Sequence, residues 1–200
     1  METDKKIILH LCASKHGSDS RDYREIGYDV RLITKEIGVE NYHPPKNVYG
    51  IIANPPCTMF SIARSRAKTP RDLEEGMRLV KECLRIIWEC QYPSEGNRTK
   101  SNLAFWVIEN PATGALKNFL GKPTYIYSPH EFGEDYTKKT ALWGLFNEPP
   151  KPFFFGNLPR GNNMKNKITP MTHNRNWEEI TDLRSIASPL FTKAFYEANK

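Results

Sequence analysis

The sequence predicts an α/β fold with a mostly parallel sheet and helices on both faces. Two apolar runs, Val48 to Ala53 and Phe105 to Ile108, each lead into proline-containing turns, a pattern typical of buried strands. Between them, apolar residues recur at helical spacing, at Leu73, Met77, Val80, Leu84 and Ile87. One helix that joins two strands makes them parallel neighbours through a right-handed crossover.

The other predicted elements come from shorter runs of the same kinds. We predict strands at Lys6 to Leu11, Val30 to Thr34, Thr124 to Tyr127 and Ala141 to Leu145, a short helix ending near Gly27, and a last helix from Pro189 to Asn199. The short, polar run between Gly38 and Pro45 gives a weak strand signal. For the long helix, Thr69 is the expected N-cap, with Pro70 in the first turn and Asp72 at the capping-box position.

Composition limits the classes to which the protein can belong. Two hundred residues, of which 38% are hydrophobic, predict one globular domain over residues 1–200 and exclude a disordered chain. The sequence predicts no membrane span and no signal peptide. Four cysteines without CxxC spacing predict free thiols in a cytoplasmic protein, and no metal site. The formal net charge of +6 indicates an anionic partner.

Two reactive side chains follow the two predicted neighbouring strands. Pro55 and Pro56 fix a rigid turn directly before Cys57, and Glu109 follows the second strand. The carboxyl ends of parallel strands are where open α/β sheets usually form their sites. Cys57 alone fits a buried packing cysteine equally well, and Glu109 alone fits a solvated carboxylate or a cap. Their coincidence at one edge favours a single site that contains both.

The motifs resemble those of the DNA (cytosine-5)-methyltransferases, most closely the short phage-encoded type. Pro55-Pro56-Cys57 with Phe60-Ser61 resembles the nucleophile motif, and Glu109-Asn110-Pro111 resembles the Glu-Asn-Val motif. The block from Glu131 to Trp143 is similar to a basic segment that corresponds to the Gln-x-Arg-x-Arg motif of the wider family. The run from Arg184 to Phe195 resembles the C-terminal helix. The resemblance covers nearly the whole chain and implies a Rossmann-like methyltransferase fold.

The resemblance also implies a reaction. Cys57 would attack carbon-6 of cytosine as a thiolate, and Glu109 would hold ring nitrogen-3 and the exocyclic amine. Carbon-5 would then take a methyl group from S-adenosylmethionine, on a base flipped out of DNA. Lys138 or Lys139 would approach the phosphate or keep the thiolate populated, although a solvated surface lysine is an equally good interpretation of each. In a phage, methylation in the host cytoplasm would mask viral DNA from restriction.

The cofactor site implied by the resemblance lies at the ends of the first strands. Its expected residues are Leu11, Cys12, Ala13, Gly17, Thr34, Glu36, Asn54 and Pro55. The chain departs from the family here, because its first loop keeps only one glycine, Gly17, and carries Lys15 and His16. Thr34 stands where the family has an acid that binds ribose hydroxyls, with Glu36 two residues on as a substitute.

Basic residues around the motifs predict contacts with the DNA backbone. The expected nucleic-acid-binding residues are Ser61, Arg64, Arg66, Lys68, Arg71, Thr140, Arg160 and Lys165. Residues 147–176, rich in Pro, Asn and Gly, predict an extended surface loop in place of a full target-recognition domain. We therefore expect relaxed sequence specificity, or a protein partner that supplies the missing surface. Each basic cluster also fits an ordinary solvated face.

Two further functions remain open. A non-catalytic relative that binds nucleic acid or a protein, and has lost its cofactor, fits the altered loop from Cys12 to Ser18. An amino-methyltransferase fits Asn54-Pro55-Pro56, which is similar to the Asn-Pro-Pro-Tyr turn of those enzymes. In them an aromatic residue follows the turn and stacks on the base. Cys57 at that position, together with Glu109, favours carbon-5 chemistry.

Overall fold

Four parallel strands form the centre of the main sheet. A computed structural model of the protein describes residues 5–62, 64, 67–93, 101–152, 162–163, 180 and 183–200. The four strands are β1 (Ile7–Leu11), β2 (Asp29–Ile33), β3 (Val48–Ala53) and β4 (Phe105–Pro111). They lie in the order β2-β1-β3-β4, and each neighbouring pair is parallel. The predicted α/β fold with a mostly parallel sheet is confirmed.

An antiparallel strand completes the sheet on the far side of β4. The later strands are β5 (Tyr125–Tyr127), β6 (Tyr136–Thr137), β7 (Thr140–Leu145) and β8 (Asn162–Asn163). β7 lies between β4 and β5 and runs opposite to both, which gives the full order β2-β1-β3-β4-β7-β5. β6 and β8 form a separate parallel pair. The predicted strands at Thr124 to Tyr127 and Ala141 to Leu145 are therefore present with bounds shifted by one residue.

The helices are α1 (Arg21–Glu25), α2 (Leu73–Gln91), α3 (Lys117–Leu120) and α4 (Pro189–Asn199), with 3-10 turns at Ser18–Ser20 and Pro129–Phe132. The prediction for the start of α2 is wrong. Asp72 is its N-cap and accepts a hydrogen bond from Glu75 N at 2.9 Å, whereas Thr69 Oγ1 accepts one from Arg64 at 2.6 Å.

Residues 38–45 form turns rather than a strand. In the part of the chain that the structure describes, no helix combines the length and apolarity needed to cross a membrane.

Alternating side chains of the strands fill two cores, one on each face of the sheet. On the first face, Ile8 and Phe105 pack with residues of α1 and α4. On the second face, Leu9, Ile51 and Ile108 pack with α2. Side chains at alternate positions just beyond these strands therefore share a face as well, which determines which polar groups meet at the carboxyl edge.

Gly50 shows how closely the first core is packed. A Cβ atom added at this position would lie 2.2 Å from Phe105 Cε1, because the two residues are register partners on β3 and β4. We expect Gly50→Ala to lower the free energy of unfolding by about 1–3 kcal/mol, measured by urea denaturation. Combining it with Phe105→Leu should cost less than the sum of the two single changes. Strict additivity would show that the steric contact is unimportant.

Candidate functional site

The ends of β3 and β4 bring the two predicted motifs together. Ala53 and Ile108 are register partners, so the residues that follow them lie at the same edge of the sheet. Asn54 Nδ2 donates a hydrogen bond to Glu109 Oε2 at 3.3 Å. Asn110 Nδ2 donates to the carbonyl oxygen of Pro55 at 2.9 Å. The turn that carries Cys57 is therefore hydrogen-bonded directly to the strand that carries Glu109.

The turn around Cys57 is held by its own backbone and by one guanidinium group. The Cys57 carbonyl oxygen accepts hydrogen bonds from Phe60 N at 3.0 Å and Ser61 N at 2.8 Å. Arg71 donates to the carbonyl oxygens of Met59 at 2.6 Å and Ser61 at 2.9 Å. Cys57 itself is half-buried. Its thiol therefore has a fixed position without being sealed inside apolar packing.

The electrostatic environment of Cys57 shows which charges surround it. Burial raises the pKa of the Cys57 thiol, and the nearby charge of Glu109 raises it further. The positive charges of Lys138 and Arg184 act in the opposite direction. With its pKa raised, the thiol is protonated at neutral pH. The charge of Glu109 thus acts on the Cys57 thiol.

Glu109 shares its surroundings with a second acid, Asp19. Burial raises the pKa of Glu109, and the charge of Asp19 adds to this effect, while Lys138 and the hydrogen bond from Asn54 oppose it. The pKa of Asp19 is also raised by burial and lowered by Lys138. Both side chains are half-buried and line a cavity of about 20 Å³, which has room for about one water molecule. The site thus combines two acids and one lysine.

His10 belongs to the same cluster. The side chain is 1% exposed, and its Nε2 and Nδ1 atoms lie 2.8 Å from Asn54 Oδ1 and 2.9 Å from Ser20 Oγ. Burial lowers the pKa of His10 to about 4, so the ring is neutral at pH 7. Sequence reasoning missed His10, Ser20 and Asp19. The available signal was a histidine inside the otherwise apolar strand Ile7–Leu11.

The structure distinguishes the two candidate lysines. Lys138 is half-buried, and its Nζ donates to the carbonyl oxygen of Arg184 at 3.2 Å. Its charge acts on Cys57, Glu109 and Asp19. Lys139 is exposed, and its carbonyl oxygen accepts a hydrogen bond from Ala112 N at 3.0 Å. Of the two candidate lysines, Lys138 is therefore the one that belongs to the site.

Adjacent lysines allow a matched test of this assignment. Lys138→Gln removes the charge that favours the Cys57 thiolate, so alkylation of Cys57 at pH 8 should slow by roughly 2- to 5-fold. Lys139→Gln removes the same charge one residue away and should leave the rate within about 1.5-fold. The rate is measured by mass spectrometry of iodoacetamide-labelled peptides. Equal slowing by both changes would contradict the assignment.

The predicted cofactor residues lie at the expected edge, but two of them face inward. The Leu11 side chain is fully buried in the core that packs on α2, and Cys12 Sγ lies 3.8 Å from Cys83 Sγ. Cys12 has a φ of 52°. Ala13 N donates to the carbonyl oxygen of Ile33 at 3.0 Å, so sheet-like bonding continues past β1. These residues can contribute backbone groups and shape rather than side-chain contacts.

Gly17 is required where the loop after β1 turns back toward β2. Its φ is 56°, and an added Cβ would lie 2.7 Å from Leu32 Cδ2. At the end of β2, Glu36 is exposed, and a hydrogen bond with Thr34 lowers the pKa of its carboxyl group. Glu36 thus lies in the turn after β2, two residues beyond Thr34, the position at which the resemblance implies an acid. Pro55 is buried, and the amide of Asn54 is already occupied within the site.

The predicted DNA-binding residues divide into three groups. Lys68 is exposed, while Arg64 and Arg71 form hydrogen bonds within their own loop. Arg64 Nη2 donates to Thr69 Oγ1 and Pro70 O. Arg71 donates to Met59 O and Ser61 O. Thr140 is only 1% exposed, and its hydroxyl donates to Lys138 O at 2.9 Å, so it supports the lysine turn instead of facing a phosphate. Ser61 is half-buried. Arg66, Arg160 and Lys165, and most of the predicted loop 147–176, lie outside the described residues.

Comparisons with known families and curated proteins found no match from which a function could be taken. No model of a protein family matches the sequence, and no curated protein matches it. Among the residues that the structure describes, no three His, Cys, Asp or Glu side chains come together as metal ligands. The chemistry of the site must therefore be argued from Cys57, Glu109, Lys138 and the groups bonded to them.

Proposed function

We propose that the protein is a DNA cytosine carbon-5 methyltransferase that uses S-adenosylmethionine. The observation that carries this proposal is the meeting of the Cys57 thiol and the Glu109 carboxyl group at the ends of β3 and β4, beside Lys138. The strand order supports it, because the chain reverses direction across the sheet between β1 and β3, where open α/β sheets bind ligands. A Rossmann-like methyltransferase fold is part of the proposal.

In the proposed reaction, Cys57 is the nucleophile and Glu109 holds the base. The Cys57 thiolate forms a bond to carbon-6 of cytosine, and the electron pair of the 5,6 double bond is directed toward carbon-5. S-adenosylmethionine, when bound, would supply an electrophilic methyl group to carbon-5 and leave as S-adenosylhomocysteine. Loss of the carbon-5 proton to a base then expels the Cys57 sulfur and restores the double bond. Glu109 holds nitrogen-3 and the amine throughout.

The raised pKa of Glu109 suits this role. Nitrogen-3 of cytosine is a hydrogen-bond acceptor, so a carboxyl group that keeps its proton can donate to it. A protonated Glu109 also no longer opposes ionisation of Cys57, because its negative charge is one cause of the raised thiol pKa. Binding of the base and formation of the thiolate are thus coupled through one carboxyl group, and Lys138 favours the ionised sulfur.

The acidic character of the cleft fits the cationic cofactor. Asp19 and Glu109 line the cavity next to the loop after β1, and Glu36 lies at the end of β2. Glu36, whose pKa is lowered, is a carboxylate that can attract the positive charges of the cofactor and accept hydrogen bonds from ribose hydroxyls. These acids offset part of the loss of glycines from the loop after β1. The one glycine that remains, Gly17, is needed where the loop passes close to Leu32.

The bonding of Asn54 argues against methylation of an exocyclic amine. Such a reaction needs an acceptor that holds the amine, and the side-chain oxygen of Asn54 is the natural candidate in an Asn-Pro-Pro turn. Here Asn54 Oδ1 lies 2.8 Å from His10 Nε2 and is turned toward the buried ring. A thiol, rather than an aromatic ring, occupies the position after the prolines. Carbon-5 chemistry fits both observations.

The surface near Cys57 is the proposed contact with DNA. We expect Lys68→Ala to weaken binding equally for all sequences and to reduce the slope of log K against log salt concentration by about 1. Lys81→Ala is the matched control, since Lys81 is exposed on α2 near Glu74 and Glu75. Binding is measured by fluorescence anisotropy at several salt concentrations. An identical slope for both variants would show that Lys68 does not contact DNA.

A non-catalytic relative is the alternative, and one observation favours it. The loop after β1 has one glycine, and Ala13 N is already bonded to Ile33 O, so fewer backbone donors face a ligand there. Calorimetry separates the two functions. Saturable binding of S-adenosylmethionine at micromolar concentration supports the enzyme, whereas absence of binding heat supports a protein that binds DNA or another protein without catalysis.

The decisive experiment measures the product. The protein is incubated with cytosine-containing DNA and isotope-labelled S-adenosylmethionine, and the digested nucleosides are identified by mass spectrometry. We expect label in 5-methylcytosine, and a covalent adduct at Cys57 when the DNA contains 5-fluorocytosine, because fluorine at carbon-5 blocks release of the sulfur. Label in an amine-methylated base would replace the proposed reaction, and absence of any label would refute it.

A further inference from the structure

A buried chain of hydrogen bonds leads from the loop after β1 to Glu109. Ser20 Oγ lies 2.9 Å from His10 Nδ1, and His10 Nε2 lies 2.8 Å from Asn54 Oδ1. Asn54 Nδ2 then donates to Glu109 Oε2 at 3.3 Å. His10 and Ser20 are 1% and 0% exposed, so water does not compete for these bonds. Four side chains from four segments of the chain are thereby joined in one line.

With the Asn54 amide oriented as the structure has it, the hydrogens of the chain follow. The oxygen of Glu109 accepts from Asn54 Nδ2, so the amide must present its oxygen to His10. The hydrogen of the His10–Asn54 bond is therefore on Nε2. Because the ring is neutral at pH 7, Nδ1 then accepts from the Ser20 hydroxyl, whose single hydrogen is shared with the carbonyl oxygen of Gly17 at 3.2 Å. Each group donates to the next in the direction of Glu109.

The amide of Asn54 serves both acids of the site. Besides its bond to Glu109, it lies close enough to Asp19 to lower the pKa of that carboxyl group. If the amide turned over, its oxygen would face the Glu109 carboxyl oxygen, and this contact is repulsive when the carboxyl group is ionised. The His10 Nε2–H group prevents this, because it requires an acceptor opposite it. A single N–H group thus fixes the orientation of the amide between two acids.

We propose that His10 is a positioning residue of the methyl-transfer site, which holds the Asn54 amide in the orientation that aligns the Glu109 carboxyl group with the target base. This inference rests on the proposed function. A purely structural role would not require a histidine, because Ile7, Ile8, Leu9 and Leu11 make the rest of β1 apolar. An apolar side chain at position 10 would avoid the cost of burying a polar ring, but it would leave the Asn54 amide free to turn.

Two substitutions at position 10 separate positioning from packing. The amide nitrogen of glutamine reaches about the position of imidazole Nε2, whereas that of asparagine reaches only the position of Nδ1. His10→Gln therefore keeps a donor for Asn54, and His10→Asn keeps only the partner of Ser20. Both variants replace the ring by a smaller neutral amide, so both disturb the packing around β1. Only the link to Asn54 distinguishes them.

We expect His10→Asn to lower kcat for methyl transfer about 10- to 100-fold with the KM for DNA changed less than about 3-fold, since misaligning a catalytic group mainly affects the transition state. His10→Gln should retain kcat within about 5-fold of the wild type. Melting temperatures of the two variants are compared to confirm that both are folded. Equal kcat values for the two folded variants would overturn the proposal.

A measurement on the unmodified protein covers the case in which a variant does not fold. Long-range ¹H–¹⁵N NMR spectra of the imidazole distinguish a hydrogen on Nε2 from one on Nδ1. We expect the Nε2–H form at pH 7, and the Nδ1–H form would overturn the proposal, because the amide would then have to be reversed. This result does not depend on methyl transfer. Absence of transfer by the wild-type protein refutes the proposed function, whereas NMR still decides whether His10 fixes the amide.

Discussion

Replacing Cys57 by serine is expected to reduce methyl transfer to DNA by at least about 1,000-fold, because a serine hydroxyl is a much weaker nucleophile than a thiolate. The hydroxyl keeps nearly the same shape, so the turn held by Phe60, Ser61 and Arg71 should remain intact. Transfer is measured with labelled S-adenosylmethionine, and the adduct with 5-fluorocytosine DNA should disappear. Retained transfer with the serine variant would exclude a cysteine nucleophile.

The control for this change is another cysteine of the same chain. Cys90 is half-buried near the end of α2, away from the carboxyl edge of the sheet. Cys90→Ser should keep transfer within about 2-fold of the wild type. Loss of activity in both variants would point to general destabilisation instead of a lost nucleophile.

The pH dependence of Cys57 alkylation tests the environment of the same thiol. Burial and the charge of Glu109 raise its pKa above the ordinary value of 9.0, so the thiolate fraction is small at pH 7 and grows as the pH rises. Alkylation of Cys57 in the protein without DNA should therefore still accelerate above pH 9. A rate that levels off near pH 7 would show a thiol already ionised at rest.

Replacing Glu109 by glutamine is expected to have opposite effects on two measurements. Methyl transfer should fall about 100- to 1,000-fold, because the group that stabilises the charge developing on the base is lost. Alkylation of Cys57 at pH 8 should become faster, since the negative charge that raises the thiol pKa has been removed. Glutamine retains an oxygen that can accept the hydrogen bond from Asn54.

The combination is diagnostic because simple unfolding cannot produce it. Unfolding would expose all four cysteines to the reagent, whereas removal of one charge accelerates Cys57 alone. Glu197→Gln on the exposed end of α4 is the control and should change neither measurement. A variant at position 109 with slower alkylation of Cys57 would contradict the electrostatic account of the site.

The sequence was sufficient to predict the six strands of the main sheet and the placement of Cys57 and Glu109 at one edge of it. Apolar runs that end in proline turns identify buried strands, and one crossover helix places two such strands side by side. The start of α2 was predicted less well, because Thr69 and Asp72 are both good caps. The choice between them depends on Arg64, which bonds to Thr69 from within the preceding loop.

Contacts between distant parts of the chain account for the rest of the site. Asp19 reaches Glu109 only because the 3-10 turn after β1 folds over the sheet edge, and no local pattern reports that approach. The role of His10 likewise depends on Asn54, which is 44 residues away. The choice between Lys138 and Lys139 follows from which face each residue takes as the chain enters β7, which composition does not reveal.

The reversed direction of β7 has a consequence for how this edge tolerates insertions. Thr140 is the partner of Pro111, so the chain enters β7 at the point where β4 ends, and the lysines arrive at the acids without a crossover. A strand of the same length in the opposite sense would deliver them about 20 Å away. Because strand side chains alternate, one extra residue just before Thr140 would turn Lys138 outward and bring its neighbour inward. The number of residues before Thr140 thus determines which lysine lies near the sulfur. A two-residue insertion should be tolerated better than a single one.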